Sequence, residues 1–251
     1  MKREWHEVKV VRRVQWAPGL VSLVFDADLG EFRSGQFLDV AVQDADAEGA
    51  RPSRSYSLAS APGEPPEIFV SLVLNGEITP TLCAAVPGDS VWLRWPPAGV
   101  FTLDRLPDAR HLWLIGTGTG LSPYISMLRD EAGWQRFERV IVVHGVRAAQ
   151  DLAYRAELAE RAAKHPGRIT VIGVVSREPD APEVLHGRIT TLYASGALES
   201  RAGASLTAAD SQIMLCGNPA MVEEMRARLE EQGLTRNSPK RPGQFTVEAY
   251  W

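Results

Sequence analysis

One stretch of the chain combines closely spaced glycines with hydroxyl side chains, namely residues 116–123 (GTGTGLSP). It follows an apolar segment typical of a strand and precedes a segment typical of a helix. Glycines let a backbone pass close to a ligand, and a helix start offers unpaired N–H groups and the positive end of the helix dipole. The pattern favours a phosphate-binding turn. It differs from the G-x-G-x-x-G fingerprint, so a tight turn without a ligand is the alternative.

A second group of residues could bind a phosphate dianion through side chains. Arg147 follows one predicted strand, Ser176 and Arg177 follow the next, and Arg188 comes shortly afterwards. Neighbouring parallel strands end at one edge of a sheet, where open α/β sheets bind ligands. Guanidinium groups match phosphate oxygens in charge and geometry, so the group predicts a 2′-phosphate site. Each arginine alone is typical of an exposed surface.

Three other motifs are ambiguous when each is taken alone. Residues 54–57 (RSYS) alternate faces of a predicted strand, which is typical of any half-exposed strand. Residues 216–219 (CGNP) form another strand-to-helix turn, where a buried cysteine usually behaves as a small apolar side chain. Residues 246–251 (TVEAYW) finish on two aromatic side chains that need cover, such as a flat ligand.

The elements that must position these motifs fall into two groups, joined within residues 104–110. Up to about residue 105, short apolar segments separated by Gly, Pro and Asp predict an antiparallel barrel or sandwich. After Arg110, strands alternate with helices, which predicts a parallel α/β sheet. The first group has predicted strands at 8–14, 19–25, 36–42, 55–59, 67–74 and 90–95. The second has strands at 111–115, 139–144, 169–175 and 211–216, and helices at 123–131, 151–164, 187–195 and 219–232.

Composition excludes several classes of protein. The 251 residues are 45% hydrophobic and 23% charged, which is ordinary for a globular protein and excludes a largely disordered chain. The net charge of −4 gives no support to nucleic-acid binding. No apolar run approaches the roughly 20 residues of a membrane span, and the N-terminus lacks the apolar core of a secretory signal. Two cysteines cannot provide a four-thiolate metal site and favour a reducing cytoplasm.

Taken together, the motifs resemble those of the bacterial ferredoxin(flavodoxin)–NADP⁺ reductases. The resemblance covers essentially the whole chain, in order and in spacing. It rests on RSYS at 54–57, GEIT at 76–79, GTGTGLSP at 116–123, VVSRE at 174–178, CGNP at 216–219 and VEAYW at 247–251. It implies a two-domain fold, with an antiparallel FAD-binding β-barrel at 1–104 followed by a parallel-sheet α/β NADP-binding domain at 105–251.

The resemblance also implies which residues contact FAD. Arg54 would hold the pyrophosphate, Tyr56 and Tyr250 would lie on opposite faces of the flavin ring, and Ser57 would hydrogen-bond near N5. Trp251 would lie towards the adenine side. The implied FAD contacts are Arg54, Ser55, Tyr56, Ser57, Val70, Ser71, Leu72, Glu77, Ile78, Thr79, Thr119, Tyr250 and Trp251.

For the second nucleotide, the resemblance implies NADP(H) as substrate, with a 2′-phosphate site and a channel for the pyrophosphate and nicotinamide. The implied contacts are Gly118, Thr119, Arg147, Ser176, Arg177, Arg188, Gly217, Asn218 and Pro219. Ser57, Cys216, Glu248 and Tyr250 would surround the hydride-transfer path. Cys216 and Glu248 would orient the nicotinamide and supply protons rather than form covalent bonds, and Tyr250 would act as a gate.

The implied activity is FAD-dependent electron transfer between NADPH and a one-electron carrier protein, ferredoxin or flavodoxin. We expect a cytoplasmic monomer that binds no metal, nucleic acid or membrane. Two alternatives stay open: a reductase that feeds an oxygenase or reduces free flavin, and, more remotely, a non-catalytic flavin-binding regulatory module. Two cysteines exclude a reductase carrying its own plant-type [2Fe–2S] domain, which needs four.

Overall fold

The computed structural model describes residues 2–43, 51–238 and 240–249 of the chain. Contacts divide the chain into two compact units. The first consists of Met1–Leu103 and Ser122–Asp130, and the second of Asp104–Leu121 and Glu131–Trp251. Within the described residues, no helix is both long enough and apolar enough to cross a membrane.

The first unit is built around one antiparallel sheet of six strands. They are β1 (Glu4–Ala17), β2 (Leu20–Phe25), β3 (Phe37–Ala41), β4 (Ser53–Ser57), β5 (Glu67–Ser71) and β6 (Ser90–Ala98). Their order is β4-β3-β6-β1-β2-β5, and a bridge between Leu58 and Ile68 joins the chain beyond β4 to the opposite edge strand. This bridge curls the sheet into the predicted barrel. A short helix, α1 (Thr79–Ala84), lies between β5 and β6.

Side-chain alternation explains why this sheet curls around a single core. On β1, Val8 and Val10 are buried while Glu7, Lys9 and Val11 are exposed, because successive strand residues face opposite sides. Every strand except β4 contributes buried side chains to one apolar cluster, which includes Leu23, Phe25, Leu38, Val40, Ile68 and Leu93. Tyr56 of β4 and Cys83 of α1 pack against that cluster and are only partly buried.

The second unit contains a six-stranded parallel sheet. Its strands are β7 (His111–Thr117), β8 (Arg139–Val146), β9 (Ile169–Val175), β10 (Leu185–His186), β11 (Ser211–Gly217) and β12 (Phe245–Ala249). The order is β10-β9-β8-β7-β11-β12, so the direction of strand addition reverses between β7 and β11. Ligands bind at such a reversal in open α/β sheets, outside the carboxyl ends of the strands. Both halves of the predicted fold class are confirmed.

The remaining helices connect the parallel strands. They are α2 (Ser122–Arg129), α3 (Glu131–Trp134), α4 (Arg155–Lys164), α5 (Ile189–Ala194), α6 (Ala197–Ala202) and α7 (Pro219–Glu231), with short 3₁₀ turns at Leu103–Arg105, Gly118–Leu121 and Ala149–Asp151. Seven of the eight side chains of α2 are buried. Although α2 follows β7 in sequence, its contacts place it in the first unit.

Hydrogen bonds from α2 explain this membership. Ser122 Oγ donates to the Ser57 carbonyl oxygen over 2.8 Å, and Ser126 Oγ donates to the Ser60 carbonyl oxygen over 2.6 Å. Arg129 donates to the Ala59 carbonyl oxygen. The hydroxyl of Ser122 therefore ties the helix to the last residue of β4.

Candidate functional site

The carboxyl edge of the parallel sheet brings four predicted or neighbouring positions into one row. In register, His144 pairs with Gly116, Gly116 with Cys216, and Cys216 with Glu248. Paired residues on neighbouring parallel strands face the same side of a sheet, so these four positions share one face. Cys216 is fully buried, whereas Glu248 is partly exposed. The row spans the strand reversal between β7 and β11.

The glycine-rich turn passes close to the end of β11 at this reversal. A Cβ on Gly120 would lie 2.6 Å from the Cys216 carbonyl oxygen, and a Cβ on Gly217 would lie 2.6 Å from the Thr117 carbonyl oxygen. Gly217 also has a φ of +119°, which side chains rarely tolerate. The Asn218 N–H donates to Thr117 Oγ1 over 2.8 Å. Glycine is therefore required at 120 and 217 by close approach of the two turns.

Gly118 differs from these two glycines because no neighbouring atom crowds the position of its missing Cβ. Its φ is +54°, and a Cβ built there would meet nothing within 4 Å. The carbonyl oxygen of Gly118 accepts a hydrogen bond from Nε2 of His144 over 3.0 Å. The turn is thus partly exposed at Gly118, between two closely packed ends.

Helix α7 starts at the same edge of the sheet. Asn218 caps it, since the Asn218 Oδ1 atom accepts from the N–H groups of Ala220 and Met221 over 2.9 and 3.3 Å. Pro219 occupies the first turn, where its missing N–H removes no helical hydrogen bond. The positive end of this 13-residue helix therefore lies beside the glycine-rich turn.

Burial controls the charge of His144. The side chain is 2% exposed, and its loss of hydration lowers the pKa of His144 from 6.5 to about 4, while the hydrogen bond to Gly118 opposes this shift. His144 is therefore neutral near pH 7. Because a carbonyl oxygen only accepts, the shared proton lies on Nε2. Sequence reasoning treated His144 only as a strand end.

The predicted phosphate-binding arginines lie beyond β8, β9 and β10. The Arg177 N–H donates to the Arg147 carbonyl oxygen over 3.0 Å, and the Ser176 N–H donates to the Val146 carbonyl oxygen over 3.1 Å. These bonds extend the β8–β9 pairing and bring Arg147 and Arg177 together. Both side chains are exposed, and within the described ranges no carboxylate lies at ion-pair distance from either.

A neighbouring carboxylate is engaged elsewhere, which helps to leave these cations available. Glu178 Oε2 accepts from the Ala149 N–H over 2.8 Å. Arg188 is also exposed, and its charge is among the smaller causes that lower the pKa of Glu224. The three arginines thus form an exposed cationic group at the ends of adjacent strands. Such a group suits a phosphate dianion.

Strand β4 of the first unit presents the other predicted motif. Arg54 is exposed, and its Nη2 atom lies 3.5 Å from Glu77 Oε2 in a pair that is exposed on both sides. Such a long exposed pair stabilises little and can be exchanged for a stronger anion. Ser55 Oγ donates to Asp39 Oδ1 over 2.7 Å. The Ser55 hydroxyl is therefore engaged within the protein, whereas the Arg54 guanidinium is exposed and accessible to a ligand.

Tyr56 faces the barrel core beside Arg54. Loss of hydration raises the pKa of Tyr56 to about 12, with a smaller contribution from Cys83, while Arg54 lowers it. The phenol consequently stays protonated at neutral pH. Ser57, the next residue, is buried, and its backbone is held by Ser122 as described above.

The segment between β5 and α1 forms the remaining predicted contact region. Val70 and Ile78 are buried, whereas Ser71 and Glu77 are exposed. Thr79 holds the turn, because its Oγ1 atom accepts from the Val73 N–H over 2.9 Å and donates to the Val73 carbonyl oxygen over 3.2 Å. The side chains of Val70 and Ile78 are therefore not available to a ligand, and the Ile78 carbonyl oxygen accepts from the Leu82 N–H over 3.1 Å.

Comparison with known proteins gives consistent results. The model of the oxidoreductase NAD-binding domain matches residues 114–227. A flavodoxin/ferredoxin–NADP reductase of Shigella flexneri is 37% identical over 250 residues, covering 99% of both chains. The chain belongs to the flavodoxin/ferredoxin–NADP reductase family.

Two solved structures extend this comparison. A ferredoxin NADP⁺ reductase from Neisseria gonorrhoeae, solved with bound FAD and NADP, has a TM-score of 0.90 at 26% identity and 98% coverage of both chains. A cytochrome P450 reductase from Amycolatopsis has a TM-score of 0.75 at 28% identity, and the match covers 99% of this chain and 71% of that one. The similarity to reductases therefore extends over essentially the whole chain.

Each unit brings some of the residues singled out in the sequence close to one another. In the second unit, Gly118, Thr119, Gly217, Asn218 and Pro219 meet at the strand reversal. Tyr250 and Trp251 lie outside the described residues. Among the described residues, no group of three or more His, Cys, Asp or Glu side chains could hold a metal ion.

Proposed function

We propose that this chain is an FAD-dependent enzyme that transfers electrons between NADPH and ferredoxin or flavodoxin. The observation that carries the proposal is full-length similarity, at 37% identity, to a flavodoxin/ferredoxin–NADP reductase. The FAD and NADP bound in the Neisseria structure support the same pair of nucleotides here. The geometry of each unit then supports a specific set of contacts.

We assign FAD to a domain of residues 1–104, which contains all strands of the first unit. Arg54 is a bidentate donor whose long pair with Glu77 is readily replaced by a pyrophosphate, and Tyr56 offers an aromatic face beside the apolar core. The exposed position of Ser71 and the turn held by Thr79 support contacts between FAD and the backbone of these segments. The assigned residues are Arg54, Ser55, Tyr56, Ser57, Val70, Ser71, Leu72, Glu77, Ile78 and Thr79, with Thr119, Tyr250 and Trp251 added by family resemblance.

FAD, when bound, accepts a hydride at N5 and passes electrons on one at a time, which is chemistry that no side chain supplies. Tyr56 contributes a neutral ring, since its pKa of about 12 keeps the phenol protonated. The hydroxyl of Ser57 is assigned to hydrogen-bond near N5. Ser122 holds the Ser57 backbone over 2.8 Å and so restricts where that hydroxyl can point.

We assign NADP(H) to a domain of residues 105–251, which contains the parallel sheet of the second unit. The open backbone at Gly118 and the capped start of α7 support binding of the pyrophosphate and nicotinamide portions by Gly118, Thr119, Gly217, Asn218 and Pro219. Arg147, Ser176, Arg177 and Arg188 are assigned to the 2′-phosphate. The proximity of Arg147 and Arg177, linked through their backbones, supports this assignment.

Four residues are assigned to the hydride-transfer path: Ser57, Cys216, Glu248 and Tyr250. Register pairing of Cys216 with Glu248 supports a shared position on one sheet face. Glu248 is partly exposed, so its carboxylate can exchange a proton with water, whereas the buried Cys216 thiol can only shape the path. The gating role of Tyr250 rests on family resemblance.

An anaerobic titration tests the proposal. Purified protein is expected to show flavin absorbance that NADPH bleaches much faster than NADH, and then to pass electrons to added ferredoxin or flavodoxin. Protein that takes up no FAD would overturn the assignment. Equal bleaching by both coenzymes would overturn the 2′-phosphate site and leave the FAD site standing.

A second candidate is a reductase that supplies an oxygenase. The similarity to a cytochrome P450 reductase at 28% identity favours it. Both candidates share the two nucleotide sites and differ in the acceptor. Rates with ferredoxin, flavodoxin and a P450 oxygenase, measured side by side at equal flavin concentration, distinguish them.

We further propose that the protein is a cytoplasmic monomer without a nucleic-acid partner. The net charge of −4 supports the last point, because sequence-independent nucleic-acid binding depends on a basic excess. Cys83 and Cys216 are not joined by a disulfide, which supports a reducing compartment. Light scattering of the purified holoenzyme at several concentrations tests the monomer.

A further inference from the structure

His144 carries an inference that deepens the proposed function. It is the only described histidine that is buried at the carboxyl edge of the parallel sheet. It stands in the same register row as Gly116, Cys216 and Glu248. Gly116 contributes no side chain, so the imidazole has a glycine as its neighbour on β7. From there its Nε2 atom reaches Gly118 over 3.0 Å.

The bond to Gly118 fixes the orientation of one peptide group in the glycine-rich turn. In a trans peptide, the carbonyl of one residue and the N–H of the next point in opposite directions. Because the Gly118 carbonyl is directed to the buried His144, the Thr119 N–H is directed away from it. Around Gly118 itself there is space, since a Cβ built there would meet nothing within 4 Å.

The neighbours of Gly118 are held by other contacts. Thr117 accepts from the Asn218 N–H, and Gly120 packs against the Cys216 carbonyl. Gly118 itself has a φ of +54° and, as a glycine, many accessible conformations. The His144 Nε2–H donor therefore adds a side-chain restraint to the Gly118 peptide, where the 3₁₀ turn Gly118–Leu121 begins.

We propose that His144 is a positioning residue for the coenzyme: its Nε2–H holds the Gly118 carbonyl so that the Thr119 N–H faces the bound NADP(H). This inference rests on the proposed function, because it assumes that the turn binds the coenzyme. The held peptide would contact a part common to NADPH and NADH. Loss of this hydrogen bond should therefore weaken the binding of both coenzymes equally, whereas loss of Arg147 and Arg177 should weaken the binding of NADPH alone.

The test compares His144→Leu, which removes the donor at similar volume, with His144→Gln, which keeps an amide N–H. With ferricyanide as acceptor, His144→Leu is expected to raise KM for NADPH and for NADH by about fivefold to tenfold, the loss expected for one hydrogen bond. FAD content and kcat should stay near the wild-type values, and His144→Gln should recover most of the loss. Equal KM changes in the two variants, or none, would overturn the inference.

Hydrogen exchange separates this inference from the proposed function. In coenzyme-free protein, backbone amides of residues 117–121 should exchange at least about fivefold faster in His144→Leu than in wild type, and His144→Gln should resemble wild type. Unchanged exchange would overturn the positioning role even where the wild type reduces carriers. Faster exchange in a protein that NADPH does not reduce would uphold the anchoring and overturn the coenzyme assignment. Should His144→Leu not fold, ¹⁵N NMR of the wild type decides, since a proton on Nδ1 rather than Nε2 would contradict the geometry.

Discussion

Arg129 Nη1 lies 2.8 Å from Glu67 Oε2, and the two side chains expose only 14% and 4% of their surfaces. Glu67 belongs to β5, and Arg129 is the last residue of α2, so the pair holds the helix on the sheet of the first unit. Without the Glu67 carboxylate, Arg129 keeps only a longer pair with Glu64. A buried charge that loses its main partner costs more than the pair itself contributes.

We therefore expect Glu67→Gln to lower the free energy of unfolding by about 3 kcal/mol. Urea denaturation of the holoenzyme measures the effect. Glu64→Gln is the matched control, because Glu64 lies 3.5 Å from the same Arg129 atom and is 45% exposed. The control should lose less than about 1 kcal/mol. Equal losses in both variants would contradict the importance of burial.

Arg147 and Arg177 should determine the preference for NADPH. The double variant Arg147→Ala/Arg177→Ala is expected to lower kcat/KM for NADPH by about 10- to 100-fold, because charge-assisted hydrogen bonds to the 2′-phosphate are lost. The value for NADH should hardly change. Lys164→Ala serves as a charge control, since Lys164 pairs with Glu160 on the exposed side of α4. A parallel fall for both coenzymes would refute the assignment.

Gly217 should not tolerate a side chain. Its φ is +119°, and an added Cβ would lie 2.6 Å from the Thr117 carbonyl oxygen. Gly217→Ala is therefore expected to destabilise the protein by about 2 kcal/mol or more and to raise KM for both coenzymes. Gly233→Ala, at a φ of +82° with nothing within 4 Å, separates backbone strain from steric contact. Thermal unfolding should show a clearly smaller loss for Gly233→Ala, and similar melting temperatures would be evidence against the close approach.

Burial of His144 should make stability depend on pH. The pKa of His144 is about 4 in the folded protein against an ordinary value of 6.5, so the unfolded chain binds a proton that the folded protein does not. Stability from this group is complete above pH 6.5 and is lost as the pH falls towards 4, at up to about 1.4 kcal/mol per pH unit. Urea denaturation at pH 7.5 and pH 5 should show a loss in wild type that exceeds the loss in His144→Gln by about 2 kcal/mol. An equal loss in the two proteins would show that other groups cause the acid sensitivity.

Strong local patterns made most of the fold predictable. Apolar strands bounded by glycine and proline marked β7, β8, β9 and β11, and the helical spacing of Met221, Val222, Met225 and Leu229 marked α7. Strand β12 was not predicted, since its sequence FTVEA is short and half polar, and it is held by pairing with β11 rather than by propensity. Helix α1, with six residues and a single buried side chain, gave an equally weak signal.

The candidate site, like the fold, was only partly predictable from the sequence. The glycine-rich turns can be found in the sequence because closely spaced glycines are unusual after an apolar strand. The arginines can be found because they follow the predicted strands directly. The contribution of His144 depends on register, since only the pairing with Gly116 shows that its ring can reach Gly118. A histidine ending an apolar strand in front of a glycine turn is the signal that could have indicated it. The partner of the Ser122 hydroxyl likewise lies 65 positions away in the sequence, beyond the reach of local patterns.

The placement of α2 has a consequence for how the protein is made. The barrel needs a helix that ends at residue 129, whose hydrogen bonds satisfy carbonyl oxygens of Ser57, Ala59 and Ser60. During vectorial synthesis, β7 must therefore leave the ribosome before the first unit can finish folding. The same arrangement limits evolution, because a recombination point near residue 104 would separate the barrel from one of its own helices.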